Sequence, residues 1–333
     1  MAKPPSVKYE LARKYRNQYG REKPTAALAQ ILHEENPLLF KSKENARVIL
    51  SQIEGKRLGT ASKIKITHAE PPRTTQPYHL PEPDGDDLEP YRLPLSWNDF
   101  IFASDFHVPN HRTEPIKAML DYAIANGVKK LIVGGDLLDN TPFSRWLHEP
   151  VNPKDVPLWF DMAKELLVQF KKVFEEVIWI EGNHDFWYKR FLMVNAPLLF
   201  NDKHFQLEAR LGLNDIGVKF IDQRYLVKAG HLNIHHGHVL LRGSGTYANG
   251  ARMLYMKAKS NFISGHLHVE SSHTEPNVDD KIATTFITGC MCTLRPEYQP
   301  FGGKACHGFA HIKVEKDKNF SVRNYRIYKG KIL

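Results

Sequence analysis

Cysteine is scarce in this chain: three residues in 333, Cys290, Cys292 and Cys306. So few, and an odd number, exclude a disulfide scaffold and lead us to expect a reducing compartment. No run of about 18 apolar residues occurs, so no transmembrane helix is expected. The opening MAKPPSVKYELARKYRNQYG lacks the short apolar core of a signal peptide. Together these absences point to the cytoplasm and away from a membrane. No internal repeat is visible. With 42% hydrophobic and 25% charged residues, a disordered, collagenous or coiled-coil chain is excluded. The length suffices to bury a core without disulfides, as two domains or as one large domain with an appendage.

Positive charge is abundant, but in one place. Residues 1–65 hold 14 Lys+Arg against 6 Asp+Glu, a net of +8, whereas the other 268 residues hold 32 against 31. A basic segment on a neutral body suggests an acidic partner, nucleic acid above all, or else a solubilising surface. Residues 1–58 read as three short helices: Lys8 to Tyr19, one entering at Pro24 and broken at Asn36-Pro37, and one capped by Ser42 and stopped at Gly55. Val48, Ile49 and Ile53 give the third an apolar face, and Lys43, Arg47, Lys56 and Arg57 give it charge. Such a module resembles a helix-turn-helix, although many small helical bundles share the pattern. Residues 59–95 read as an extended linker, since seven of the 21 prolines fall between Pro71 and Pro94.

Residues 96–333 have a different pattern. Apolar strands alternate with helices as FIFAS, a helix from Glu114 to Asn126, KKLIVGG, an amphipathic helix near 155–175, and VIWIEGN. That βαβαβ order predicts a parallel core. The later segments favour strands, the last two joined at Asp317-Lys318-Asn319. An α/β fold with two packed sheets is expected.

Five polar clusters each follow an apolar strand: Asp105-Phe106-His107, Gly135-Asp136-Leu137-Leu138-Asp139, Gly182-Asn183-His184-Asp185, His235-His236-Gly237-His238 and Gly265-His266-Leu267-His268. Ligands of open α/β sheets gather beyond the carboxyl ends of strands, so the five converge on one edge. Carboxylate, imidazole and amide oxygens suit Mn2+, Fe or Zn2+. Asp105-x-His107 and His266-x-His268 are spaced so that alternation along an extended segment aims each pair at one site. An aspartate can bridge two cations, and Asp136 is the candidate bridge. Two ions about 3.5–4 Å apart can activate a water and clamp a phosphoryl group.

The ordered set DFH, GDLLD, GNHD, HHGH and GHLH resembles the calcineurin-like metallophosphoesterase superfamily over roughly residues 98–330. The resemblance implies a four-layer α/β/β/α sandwich around two divalent metal ions, Mn2+ first with Fe or Zn2+ as alternatives. By it, Asp105, His107, Asp136 and His268 hold one metal, and Asp136, Asn183, His236 and His266 the other. His184 contacts the phosphate and protonates the leaving oxygen, Asp185 orients His184, and Asp139 supports ligating imidazoles. Of the two adjacent histidines, His236 is the ligand and His235 the packed strand residue, because one step flips a side chain across a strand.

Other residues are open. His238 either reaches the phosphate or a ligand from its turn, or does not. Phe186, Trp187, Tyr188, Lys189 and Arg190 form either a wall for a substrate ring or part of the core. Arg242 and Arg252 either grip a phosphate or lie on an ordinary surface. Cys290 and Cys292 read as buried packing, and His111 and His307 as isolated. The expected activity is metal-dependent phosphoester hydrolysis, with nucleic acid, recruited through residues 1–58, as the leading substrate. The alternatives are a serine/threonine-type protein phosphatase and a DNA-binding regulator with an accessory metal domain. A small basic helical module joined to such a domain resembles proteins of phages or prophages.

Overall fold

The computed structural model describes residues 7–20, 23–54, 87–146, 150–152, 154–241, 249–276, 278–296 and 303–333. The chain divides into two compact units, Met1–Asp84 and Gly85–Leu333.

The first unit contains α1 (Val7–Tyr19), α2 (Thr25–Glu35) and α3 (Lys43–Ile53). Pro24 precedes α2 rather than opening it. The Ser42 hydroxyl accepts the Asn45 N–H at 3.1 Å and so caps α3, satisfying a donor that the first helical turn leaves free. Ala12, Leu28, Leu32, Phe40, Ala46, Ile49 and Leu50 form the buried core. On α3 the buried stripe is Ala46, Ile49 and Leu50, with Ile53 partly buried against it, while Val48 is only half-buried. The reason is helical period: residues three and four apart share a face. Arg16 is drawn inside. It donates to Gly20 O at 3.1 Å and Lys23 O at 2.8 Å and pairs with Glu54, so it ties α1 to the end of α3. Lys56, Arg57 and most of the expected linker lie outside the described residues.

The C-terminal end of that linker belongs to the second unit. Tyr91–Arg92 forms β1, paired in parallel with Val227 and Lys228, and the Tyr91 N–H donates to Leu226 O at 2.8 Å. Proline density hides this strand in the sequence, because its two residues lie between Pro90 and Pro94.

Two sheets make up the body. The seven-stranded sheet has β2 (Asp99–Ala103), β3 (Lys130–Val133), β4 (Glu176–Ile180) and β5 (Val218–Ile221) in parallel. The antiparallel β11 (His307–Val314), β12 (Phe320–Tyr328) and β13 (Lys331–Ile332) follow on the far side of β2. The six-stranded sheet runs β1, β6 (Val227–Ala229), β7 (Leu232–Ile234), β8 (Phe262–Ser264), β10 (Ile282–Ile287) and β9 (Ser271–Pro276). The polar β9 carries no apolar signal in the sequence. It is an edge strand whose exposed and half-buried residues alternate.

Strand alternation explains the layers. Phe100, Phe102, Ile132, Ile178 and Ile180 face Val227, Leu232, Ile234 and Ile263 across the space between the sheets. Their neighbours Ile101, Ala103, Leu131, Val133, Val177 and Trp179 face the helices α4 (Thr113–Asn126), α5 (Asp155–Val173) and α6 (Asn183–Asn195). The short α7 (Pro197–Phe200), α8 (Leu207–Leu211) and α9 (Leu213–Ile216) follow α6, and α8 and α9 add Leu207, Leu211 and Leu213 to this core. On the far side of the six-stranded sheet, α10 (Gly250–Ala258) packs Ala251 and Leu254 on Phe262 and Ile287. The result is a four-layer α/β/β/α sandwich, as the resemblance implies.

Candidate metal centre

The five clusters do meet at one edge. Asp105 and His107 follow β2, Asp136 follows β3, Asn183 opens α6 after β4, His236 follows β7, and His266 and His268 follow β8. The way they converge differs from the expected alternation. Asp105, His107, Asp136, His266 and His268 all have left-handed backbones, with φ of 59°, 49°, 51°, 69° and 58°. Tight left-handed turns, not a pleated strand, aim the side chains inward. Residues other than glycine seldom adopt this region, and they cluster in it where a site over-determines them.

Glycines provide the close approach. A Cβ on Gly182 would collide with Asp136 Oδ1 and the Asp136 backbone, and one on Gly265 would collide with Ser104 Oγ and Asp105 Oδ2. Only hydrogen fits there, which is why glycine precedes Asn183 and His266.

Each aspartate is held by one oxygen and aimed by the other. Asp105 Oδ2 accepts from Ser104 Oγ at 2.6 Å and from His266 N at 2.9 Å, while Oδ1 lies 3.1 Å from His268 Nε2. Asp136 Oδ1 accepts the His184 N–H at 2.8 Å. Its Oδ2 is buried with no hydrogen-bond partner among the described residues, 3.0 Å from His236 Nε2 and 3.7 Å from His107 Nε2. The histidines are fixed from behind. His236 Nδ1 donates to Gly134 O at 2.9 Å, leaving Nε2 to face Asp136 and, at 3.1 Å, Asn183 Oδ1. His107 Nδ1 lies 3.1 Å from Asp139 Oδ1. A nitrogen held from outside sets which nitrogen is offered inward.

Charge in this cluster is held by carboxylates and imidazoles that depend on one another. Burial penalises ionised Asp105 and Asp136, yet the surrounding imidazoles, His268 and His107 for Asp105 and His236 and His184 for Asp136, hold both far below the carboxylate range. Burial likewise opposes charge on His107 and His236, but carboxylates push them up to about 10 and about 9. His266 is instead pushed down to about 3 by burial and by the charge of His236. Among the described residues no lysine or arginine pairs with Asp105, Asp136 or Asp139; histidines are their ion partners. Buried carboxylates that lean on imidazoles alone, with Asp136 Oδ2 lacking a hydrogen bond, fit divalent cations, which would take the place of that imidazolium charge. Four groups among the described residues have ligand atoms close enough to hold an ion: Asp105–His107–Asp136, Asp136–His236–His266, His107–Asp139–His184 and His107–His268–Cys292; Asp136 belongs to two of them and His107 to three.

The Asp185 carboxylate is engaged away from the His184 ring. It turns back under α6 and accepts from Gly182 N at 2.9 Å, Leu138 N at 2.9 Å and Trp179 Nε1 at 3.2 Å. Third in the helix, it is placed to cap rather than to reach the ring of its neighbour. Burial and the charge of Asp136 raise it to about 6. The ring of His184 is held instead by Asp139, with Nδ1 2.7 Å from the Asp139 carbonyl and 3.3 Å from its carboxylate. Asp139 thus serves His107 and His184 together.

The segment after GNHD splits in two. Trp187 stacks on His184 with ring centroids 3.8 Å apart and remains half-exposed. Tyr188 enters the core against Phe143 and Phe160, and Lys189 is neutralised by Asp222 at 2.7 Å. His235 faces away, bonding Gln223 O at 2.7 Å. His238 lies 2.6 Å from Gln223 Oε1, with its ring 5.5 Å from that of His236, and burial pushes it down to about 2. Arg252 is exposed on α10, and Arg242 lies outside the described residues. Cys292 is more than packing, since its Sγ lies 3.9 Å from His268 Nδ1. His307 and His111 flank it, through a 2.9 Å bond to Cys292 O and a backbone bridge. Sequence reasoning misses Ser104, Gln223 and Cys292 as supports, and only the adjacency of Ser104 to Asp105 could have signalled any of them.

The family model for calcineurin-like phosphoesterases matches residues 99–270. Gene 54 protein of Mycobacterium phage L5 is 24% identical over 173 residues, spanning 50% of this chain and 68% of that one. Similar solved structures include a Vps29 variant from Entamoeba histolytica, with a TM-score of 0.36 and 14% identity over 71% of this chain and 96% of that one. Another is the phosphoesterase YfcE of E. coli, with a TM-score of 0.33 and 16% identity over 68% and 98%. The family match covers β2 through the last histidine cluster, and with it the whole set of converging carboxylates and imidazoles: the chain belongs to the calcineurin-like phosphoesterase family.

Proposed function

We propose that the protein is a phosphodiesterase that hydrolyses nucleic acid at a centre of two divalent metals. The observation that carries the reading is Asp136, whose carboxylate joins two of the four candidate ion-binding groups and keeps one buried oxygen without a hydrogen bond among the described residues. Asp105, His107, Asp136 and His268 would hold one ion, and Asp136, Asn183, His236 and His266 the other. Mn2+ suits this oxygen and nitrogen set, with Fe or Zn2+ as alternatives. Bound ions would supply Lewis-acid charge to the phosphoryl oxygens and lower the pKa of a water.

The chain's own groups do the rest. Nδ1 of His184 is taken by the Asp139 carbonyl, so Nε2 is the nitrogen that gives a proton to the leaving oxygen. The Asp139 carboxylate stabilises the cationic imidazole that this requires, and Trp187 limits its rotation. Asn183 and His236 fix each other at 3.1 Å. Nucleic acid is favoured by the net charge of +8 in residues 1–65, of which Arg13, Lys14, Lys41, Lys43 and Arg47 lie exposed on the helical unit. Residues 1–58 would hold the polymer and residues 96–333 cut it, in the cytoplasm, where unpaired thiols persist. Among the described residues no helix is long and apolar enough to cross a membrane.

A substrate panel tests this. Oligonucleotides, mononucleotides, cyclic nucleotides and phosphopeptides are incubated with Mn2+, Fe2+ or Zn2+, with release of product as the readout. Cleavage of oligonucleotides well above the others is expected. Turnover of phosphopeptides alone would replace the reading with a protein phosphatase. No turnover of any substrate, with tight DNA binding, would favour a regulator.

A further inference from the structure

An open cavity of about 500 Å3 lies in the sheet unit, lined in part by Arg112, Glu114, Thr293, Arg295 and His307. Two of its lining residues connect to the candidate metal centre through one intervening residue each. His307 bonds the Cys292 carbonyl at 2.9 Å, and Cys292 Sγ lies 3.9 Å from His268. Thr293 N donates to Asn110 O at 2.9 Å, and the Asn110 amide donates to Asp139 Oδ2 at 3.2 Å. Thr293 is therefore one residue, about 3.8 Å of chain, from a side chain that touches a candidate ligand.

Of the described arginines in this unit, only some are paired with a carboxylate. Arg224 pairs with Asp222, and Arg326 with Glu270. Arg112 and Arg295 are exposed, and among the described residues neither has an ion partner. The Arg112 guanidinium donates to Thr293 Oγ1 at 3.0 Å, which steadies it at the cavity wall. Glu114 is the one carboxylate on the described lining, and it packs beside Gly330. Two guanidiniums against one carboxylate leave the cavity net positive. Guanidinium forks match phosphate oxygens in pairs and are weakly hydrated, so they give up little water on binding.

We propose that this cavity is a second anion subsite, taking a phosphate of the polynucleotide strand adjacent to the one held at the metals. The proposal rests on the phosphodiesterase reading and narrows it to substrates with more than one phosphate. A strand carries an anion on every nucleotide, so both places fill together. A singly phosphorylated peptide would leave the arginines idle.

The test compares the full-length protein with R112Q/R295Q, after matched melting curves confirm folding. Binding of a fluorescein-labelled pentathymidylate is followed by anisotropy across a salt series in chelator. The variant should bind about 10–100-fold more weakly at low salt, and its slope of log affinity against log salt should shrink by about 1.4, two single-strand phosphates at about 0.7 each. With Mn2+, the ratio of kcat/KM for pentathymidylate to that for bis(4-nitrophenyl) phosphate should fall at least about tenfold. R112K/R295K should recover the slope but not the full affinity, since lysine keeps charge without the fork. Unchanged affinity and slope, or an equal fall for both substrates, overturns the subsite. An equal loss of binding by a singly phosphorylated peptide overturns its assignment to a polynucleotide. Failure of the unmodified protein to cleave either diester overturns the phosphodiesterase reading instead, while the binding series still decides the subsite.

Discussion

The helical unit and the sheet unit treat charge in opposite ways. In the first, Lys14, Lys43 and Arg47 are exposed around an apolar core of Leu28, Leu32, Phe40 and Leu50. Its surface ion pair, Arg47 with Glu44 at 2.7 Å, is half-exposed on both sides and worth less than about 1 kcal/mol. In the second, Asp105, Asp136 and His236 are essentially shut off from solvent, and five candidate ligands sit on left-handed backbone that costs about 1–2 kcal/mol per residue. A surface can lose one charge with little consequence. An interior cluster cannot, because each member compensates another. The difference teaches where function is concentrated: the sheet unit gives up stability to hold a site, while among its described residues the helical unit buries a single ion pair, Arg16 with Glu54, and keeps its other basic groups at the surface.

Removing the shared carboxylate should break this contrast most severely. Asp136→Ala is expected to lose both metals and at least about 10³-fold in kcat/KM, since charge stabilisation by metals is worth several kcal/mol. Metal content by mass spectrometry and diester hydrolysis check it. Near-full activity with two bound metals would sink the dinuclear reading.

His184→Ala separates chemistry from metal binding. Both metals should stay, while turnover of substrates with alkoxide leaving groups falls about 10²–10³-fold. The loss should be smaller for nitrophenolate, which leaves with little protonation. Loss of metal would show that His184 is a ligand.

Two neighbouring aspartates sharpen the comparison within the sheet unit. Asp139→Asn should lower kcat about 10–100-fold with stability nearly kept, because Asp139 acts through His107 and His184. Asp185→Ala should instead cost about 2–4 kcal/mol of stability, because three buried N–H donors lose their acceptor. Kinetics and urea unfolding on both variants check this. The reverse pattern would restore Asp185 as the residue that orients His184.

The smallest effect on the fold belongs to the helical surface. Lys43→Ala with Arg47→Ala should change stability by under about 0.5 kcal/mol and leave hydrolysis of bis(4-nitrophenyl) phosphate intact. Duplex DNA binding should weaken, with a salt slope shallower by up to about 1.8, about 0.9 for each phosphate no longer neutralised. Equal DNA affinity at matched salt would leave residues 1–58 without a role in substrate capture.

Most elements are legible in the sequence because their signals are local. Ser42 marks a helix start, the Asp317-Lys318-Asn319 turn joins β11 to β12, and Phe100 and Phe102 alternate with Ile101 and Ala103 between two cores. Where propensity and context disagree, context wins: β1 forms among prolines and β9 from a polar run. The candidate ligands are legible too, since order along the chain and residue type survive without coordinates. Of their supports, only the role of Asp139 behind a ligating imidazole was expected. Asp139 reaches His184 across 45 positions, Cys292 reaches His268 across 24, and Arg112 meets Thr293 across 181.

The sequence by itself determined which residue types stand at the ends of which strands, and so the family, the layers and the chemistry of the donors. It did so because hydrophobic period and strand-end motifs are properties of a few consecutive residues. Only the tertiary structure decided that Asp139, not Asp185, holds the histidine, that left-handed turns rather than a pleat aim the ligands, and that two arginines share a cavity beside the metal centre. Those outcomes depend on distances between segments far apart in the chain, which are set when two sheets pack and side chains compete for the same few buried partners.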